Sequence, residues 1–303
     1  MSTGTDPLAP LAELPGVSES VAEVRKAVDR LYGHRVMRRR AAEVTAESAI
    51  RGARASAALA GADWPLEEVR RRSDFSAGPD ERTVGGALRI SAEAGQLLSV
   101  WRTSPLQVLA RLHLLAAGDG AESAGRPRRG DEPAEELFPV ELAPAEGVAA
   151  PTGPAAAAPA DLPGAELAAA PSGQEVAARL DQLAQLLAAR AGTVGSGVPA
   201  LVVAAVVHGE LLALRPFASH NGLVARAAQR IVLIAEGLDP KAICPAEVGL
   251  VELGTAAYRG ALAGYLSGTP DGVARWIRHC GLALQLGVRE STAVCEAMQR
   301  GMV

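Results

Sequence analysis

From Val198 to Leu214 the sequence reads VPALVVAAVVHGELLAL, and only His208 and Glu210 interrupt the apolar run. A helix there would be apolar nearly all round, so it has no solvent face and must lie at the centre of whatever the chain builds. Its longest uninterrupted apolar stretch, Val198 to Val207, is too short to span a bilayer. The chain must therefore wrap other amphipathic elements around one buried helix.

The neighbouring segments supply such elements. The pattern is helical from Ser18 to about Leu59, over Glu67–Arg72 after Pro65, and from Thr83 to about Val100. Pro105 suits a helix start, and Leu106, Val108, Leu109, Leu112 and Leu115 follow at helical spacing. Ser172-Gly-Gln-Glu175 is a capping box, and Val176, Leu180, Leu183 and Leu187 mark one helix face. After the central helix, another is expected from about Gly222 to before Gly237, with Pro240 beyond it as a stop, and two or three more over 245–300. The piece Leu137–Leu142 carries a weak strand signal, and convincing period-two alternation appears nowhere. The expected fold class is all-α.

Four stretches follow. Residues 1–16, rich in Pro and Gly, read as a loose N-terminal tail. Residues 17–118 form an N-terminal helical half. Residues 119–172, with AAPTGPAAAAPADLPG at 149–164, read as a flexible insertion. Residues 173–303 form a C-terminal helical half.

Composition narrows the function classes. Net charge is −4, and only two of the thirty basic residues are Lys, at 26 and 241. Acids interrupt or follow each Arg cluster, so the clusters read as solvated faces, and nucleic-acid binding is not expected. Cys244, Cys280 and Cys295 are too widely spaced for a disulfide framework or a zinc site. The N-terminus lacks the basic and apolar regions of a secretory signal. A cytoplasmic protein that does not engage a membrane is the expectation.

One loop carries chemistry: Arg215-Pro216-Phe217-Ala218-Ser219-His220-Asn221-Gly222. Pro216 blocks continuation of the central helix, and Asn221-Gly222 suits a tight turn that opens the next. The unpaired N–H groups of that helix start carry partial positive charge and suit an anion, phosphate above all. Arg226, one turn on, leans back toward the same point, and Arg215 can approach from the other side. The plainer alternative is a helix corner with solvated arginines and a loop histidine.

The segment RPFASHNGLVAR (215–226) resembles the Fic-family motif H-P-F-x-(D/E)-G-N-G-R-x-x-R. Pro216, Phe217, Asn221, Gly222 and Arg226 match. Arg215 stands for the family His, Ser219 for the acid, His220 for the first Gly and Leu223 for the first Arg. Other segments are similar in the same order. His208 lies seven residues before Arg215; His113, Gly125 and Arg128 resemble a family helix followed by G-x-x-R; Tyr258 and Trp276 fall in the closing helices. ARASAALAGADWPLEEV (53–69) is similar to the inhibitory-helix segment, where Ser56 and Gly61 match and Ala60 replaces the inhibitory Glu. The hairpin flap of the family, which would follow Arg128, is not evident.

The resemblance implies a Fic/Doc-type (Fido) helical fold. It also implies a relation to enzymes that transfer AMP from ATP to a protein hydroxyl, with ATP or another nucleotide as the ligand class. The substitutions remove the usual mechanism. Arg215 stays protonated and cannot act as the family base. Ser219 is a poor sole ligand for the family's Mg²⁺, and Leu223 cannot clamp a phosphate. Ala60 removes the partner of Arg226 and with it the family brake. Two functions remain. One is a pseudoenzyme or binding module that holds a nucleotide, another phosphorylated ligand or a protein partner, using Ser219, Asn221, Gly222 and Arg226. The other is an active transferase of altered chemistry acting on a protein or small-molecule hydroxyl, with His220 as replacement base.

Overall fold

A computed structural model describes residues 6–118, 121–148, 167–191 and 197–302, and the described residues form helices without strands. The apolar run becomes α9 (Ala200–Leu214), in which every residue but Glu210 is buried. Its partner α10 (Asn221–Ala235) packs along it and is itself buried from Asn221 to Ile234.

The earlier helices are α1 (Ala9–Ala12), α2 (Val17–Tyr32), α3 (Met37–Leu59), α4 (Leu66–Arg71), α5 (Pro79–Glu93), α6 (Leu98–Trp101) and α7 (Pro105–Ala117). After them come α8 (Gly173–Ala191), α11 (Ala246–Leu253), α12 (Thr255–Leu266) and α13 (Pro270–Gln299). The long α13 backs the core, touching α2, α9, α11 and α12, while α3, α5 and α7 close the side toward α10. Local signals set the boundaries. Ser172 Oγ accepts from Glu175 N–H at 3.3 Å to start α8, and Thr269 Oγ1 accepts from Gly272 N–H at 3.2 Å to start α13.

Small residues decide how α10 meets α3. Ser48, Gly52 and Ser56 recur every fourth residue on α3, so they share one face. Against that face lie the two arginines of α10. Arg226 donates from Nε to Ser56 Oγ (2.8 Å) and from Nη2 to Ser56 O (2.9 Å). Arg230 donates from Nη2 to Ser48 Oγ (2.8 Å) and Ala242 O (2.7 Å), and pairs with Glu247 at 3.4 Å. A Cβ at Gly52 would lie 2.7 Å from Arg230 Nη1, so the glycine makes room for that buried guanidinium.

Two expectations are corrected. Residues 6–16 are not a loose tail. Leu8 is buried, Leu11 and Leu14 follow at three-residue spacing and pack against the core, and Asp6 pairs with Arg190. Nor is 119–172 uniformly loose. Residues 121–148 follow a fixed path over the start of α10. There Leu137 and Phe138 are buried, and Leu142 exchanges bonds with Thr255 (Leu142 N to Oγ1 2.9 Å, Thr255 N to Leu142 O 3.0 Å). The path reads as irregular in sequence because its long-range backbone bonds are made singly, to Pro216, Ala218, Glu252 and Thr255, rather than to a neighbouring strand. The low-complexity run at 149–164 lies outside the described residues. Among the described residues no helix is long and apolar enough to cross a membrane.

Three buried histidines make the fold acid-sensitive. Burial, reinforced by His220, lowers His113 to about 4. Burial lowers His279 to about 4 as well, and pushes His208 well below its ordinary range. All three are neutral in the fold, whereas the unfolded chain takes up protons below its ordinary value of 6.5. Stability is thus full above that value and falls as pH drops toward 4. Thermal melts from pH 7.5 to 4.5 should show a steady loss. A flat profile from 6.5 to 5 would show that these rings are not buried neutral.

Candidate functional site

The site forms where α9 ends and α10 begins. Arg215 terminates α9 in a left-handed conformation (φ 43°), and His220 precedes α10 in another (φ 59°). Between them the loop is braced from inside. Asn221 Oδ1 accepts from Phe217 N–H at 2.9 Å, and its Nδ2 donates to Phe217 O at 2.7 Å. Phe217 stacks flat on His113 (centroids 4.1 Å apart, 3° between planes). His113 Nδ1 in turn accepts from Gly125 N–H at 2.9 Å. Asn221 therefore shapes the loop and spends its side chain doing so.

Arg128 bolts a second segment to this loop. It is only 4% exposed. Its N–H donates to Pro216 O (2.8 Å), Nε to Arg215 O (2.8 Å), Nη1 to Glu132 O (2.6 Å), and Nη2 to Leu214 O (3.2 Å) and Pro171 O (3.0 Å). A guanidinium on the last carbonyls of α9 sits at that helix's negative end, where a cation is favoured. The chain after Arg128 then runs over the loop as a strap, with Glu135 N–H donating to Ala218 O at 3.1 Å.

The strap delivers a carboxylate. Glu135 Oε1 accepts from the Asn221 backbone N–H in the first turn of α10. Burial raises its pKa, while the His220 and Asn221 N–H groups and the Arg226 charge oppose that rise. Beside it opens a cavity of about 80 Å³ lined by Leu59, Thr83, Glu136, His220, Leu223 and Arg226, with Ala60 and Gly222 at its wall.

The residues singled out from sequence divide accordingly. His220, Gly222, Arg226 and Ala60 meet at this cavity. Arg215 does not line it: its Nη2 donates to Ala168 O at 2.5 Å, while its own carbonyl accepts from Arg128 Nε at 2.8 Å. Ser219 Oγ pairs with His220 Nδ1 at 2.8 Å. Burial, then the nearby Arg89, lower the His220 pKa, which favours the neutral ring. The position of the family acid offers Mg²⁺ no carboxylate, and of the two carboxylates at the cavity, Glu135 and Glu136, the first is already engaged. Ser219 is neutral, and the Glu135 carboxylate is held by backbone N–H groups, whose partial positive charge opposes a cation. Glu135 was invisible to sequence reasoning: it sits in a stretch whose composition signals a loop, and only the strap's path brings it here.

Comparison with solved structures bears on the fold. The chain is similar to a Fic family protein from Desulfovibrio desulfuricans G20 (TM-score 0.66, 21% identity, covering 92% of this chain and 75% of that one). It is similar to Fic-1 from C. elegans (0.61, 15%, 93% and 73%). It is also similar to a Fic domain containing signaling protein from Bacteroides thetaiotaomicron (0.59, 13%, 92% and 97%). No family model matches the sequence, and no curated protein is significantly similar to it. The chain thus has the all-helical Fic (Fido) fold. At these identities the likeness establishes the fold and leaves the chemistry to the site.

Proposed function

We propose that this chain is a binding module that holds a nucleotide or other phosphorylated ligand at the start of α10, without the AMP-transfer mechanism of a His base and an acid-held metal. One observation carries the reading: the first turn of α10 already binds an anionic group, the chain's own Glu135 carboxylate. Helix starts favour anions through their unpaired N–H groups. Arg226, fixed on Ser56, adds positive charge at the cavity wall.

The test is thermal unfolding with ATP, GTP, CTP, CDP-choline, nucleotide sugars and phosphate, each with and without Mg²⁺. Wild type, Arg226→Ala and Glu135→Ala run together, and their ligand-free melts report folding. A ligand at 100 times its Kd should stabilise the fold by roughly 2.7 kcal/mol. Stabilisation that Arg226→Ala abolishes is the expected result. If no ligand shifts either wild type or Glu135→Ala, the reading fails.

A second reading has its own observation. His220 lines the cavity, with its lowered pKa favouring a neutral ring that can accept a proton. An altered transferase would use it as base toward a hydroxyl. Turnover that vanishes in His220→Ala, with ligand binding retained, would favour this reading over simple binding.

A further inference from the structure

We propose that Ser219 is a nucleophile and His220 its base, so that the loop takes a phosphoryl group from a phosphate ester onto the Ser219 hydroxyl. This rests on the second reading above, in which His220 accepts a proton, and it names the hydroxyl as the chain's own.

The argument begins with the pair. Ser219 Oγ lies 2.8 Å from His220 Nδ1. With the ring proton on Nε2, Nδ1 accepts from the hydroxyl, the arrangement in which a serine gives up its proton as it attacks. The loop fixes both residues. Asn221 braces it across Phe217 with bonds of 2.9 and 2.7 Å, and His220 keeps a left-handed backbone (φ 59°). The His113 ring, stacked on Phe217, stands edge-on to His220 with centroids 6.2 Å apart. Burial and the Arg89 charge favour the neutral His220 ring, the form that can take a proton. Both members of the pair are only half-buried, so a substrate can reach them. His220 lines the cavity of about 80 Å³ and Ser219 does not, so the imidazole joins the hydroxyl to a space where a leaving group can lodge.

A second feature names the substrate class. Arg89 lies near enough for its charge to act on His220. Its Nε donates to Leu115 O at 2.9 Å, in the last turn of α7, and among the described residues its two Nη groups have no partner. Gly85 and Gly118 leave them room: a Cβ there would lie 3.2 Å from Nη1 and 3.1 Å from Nη2 respectively. A guanidinium with free Nη groups suits the oxygens of a phosphate. The step balances. Oγ attacks phosphorus, the Ser219 O–P bond forms, and the bond from phosphorus to the ester oxygen breaks. The proton passes from Oγ to His220 Nδ1 and on to the departing alcohol. Water, attacking the same phosphorus with His220 as base, then frees the serine and releases phosphate.

The experiment uses two probes. An alkyl fluorophosphonate tests the nucleophile, because a serine backed by a base displaces its fluoride. Wild type, Ser219→Ala and His220→Asn are labelled and mapped by mass spectrometry, with melting as the folding control. Asn tolerates the left-handed backbone at 220 and cannot take the proton. Wild type should label at Ser219, Ser219→Ala should carry no label in the loop, and His220→Asn should label about 10²–10⁴ times more slowly. p-Nitrophenyl phosphate tests the class. Wild type should release nitrophenolate, Ser219→Ala should not, and Arg89→Ala should raise KM on the order of tenfold. No label at Ser219, or equal labelling rates in wild type and His220→Asn, would overturn the proposal. Label at Ser219 without release of nitrophenolate would overturn phosphate esters as its substrate. A nucleotide that still stabilises the fold in either case leaves the anion-binding reading standing, so the two ideas fail separately.

Discussion

Arg128→Ala should lower folding stability by about 3–5 kcal/mol, because it takes the donor from four backbone carbonyls at once. At roughly 2 °C per kcal/mol for a chain of this size, the melting point should drop by roughly 6–10 °C. The reason lies in what Arg128 holds. Its side chain reaches four carbonyls: Leu214 and Arg215 at the end of α9, Pro171 before α8, and Glu132 in the strap. Alanine leaves Leu214 O without its donor in a buried space and the other three carbonyls in half-buried ones. Each buried acceptor left without a donor costs about 1–3 kcal/mol. Water entering the new cavity would recover part of that, which keeps the total below the sum. Arg128→Lys keeps the charge but cannot fork to separate acceptors, so it should recover only part of the loss. Strap and loop share this bolt, so pyrophosphate binding should change in the folded fraction as well. A melting point within 2 °C of wild type would show that strap and loop hold together without it.

Glu247→Ala should be comparably costly, again about 3–5 kcal/mol, through a different mechanism. Glu247, in the first turn of α11, is the carboxylate paired with Arg230, and both are buried. Its loss strands the Arg230 charge between α3 and α10 with only Ser48 Oγ and Ala242 O as acceptors. Glu247→Gln keeps an acceptor and the volume, so it should cost less. The double variant Arg230→Met/Glu247→Ala removes the stranded charge and should be more stable than Glu247→Ala alone. Chemical denaturation of wild type, Glu247→Ala, Arg230→Met and the double variant makes the double-mutant cycle. If the double variant is no better than Glu247→Ala, the cost comes from packing and not from an unpaired charge. An exposed pair such as Arg111–Glu93, whose carboxylate and guanidinium both reach solvent, serves as the control and should change little.

The helices were legible because their signals are local. Ser172 before Gly173, Pro105 at a helix start and Pro240 after a helix end act over a few residues, and the structure places α8, α7 and the end of α10 there. The burial of α9 was legible for a similar reason, since a segment without a polar face has one place to go. The Arg226 position followed from helical spacing after the Asn221-Gly222 turn. What failed was any inference that depended on where a long irregular segment goes. Leu8, Leu11 and Leu14 pack although Pro and Gly surround them. Glu135 reaches the α10 start from 86 residues away. The Arg215 side chain is held by Ala168 O, 47 residues away, and not by the cavity.

The amino-acid sequence by itself therefore determined an all-helical chain built round one apolar helix, and a loop at 215–226 whose next helix opens with free N–H groups. Periodicity, caps and turn residues act over one or two turns, so these features need no knowledge of the rest. Only the tertiary structure decided what faces that helix start. An irregular strap has no repeating pattern to announce its path, because its hydrogen bonds are made one at a time to distant partners. The Glu135 carboxylate, the Ser56 anchor of Arg226 and the Arg128 bolt exist only once the chain has closed on itself.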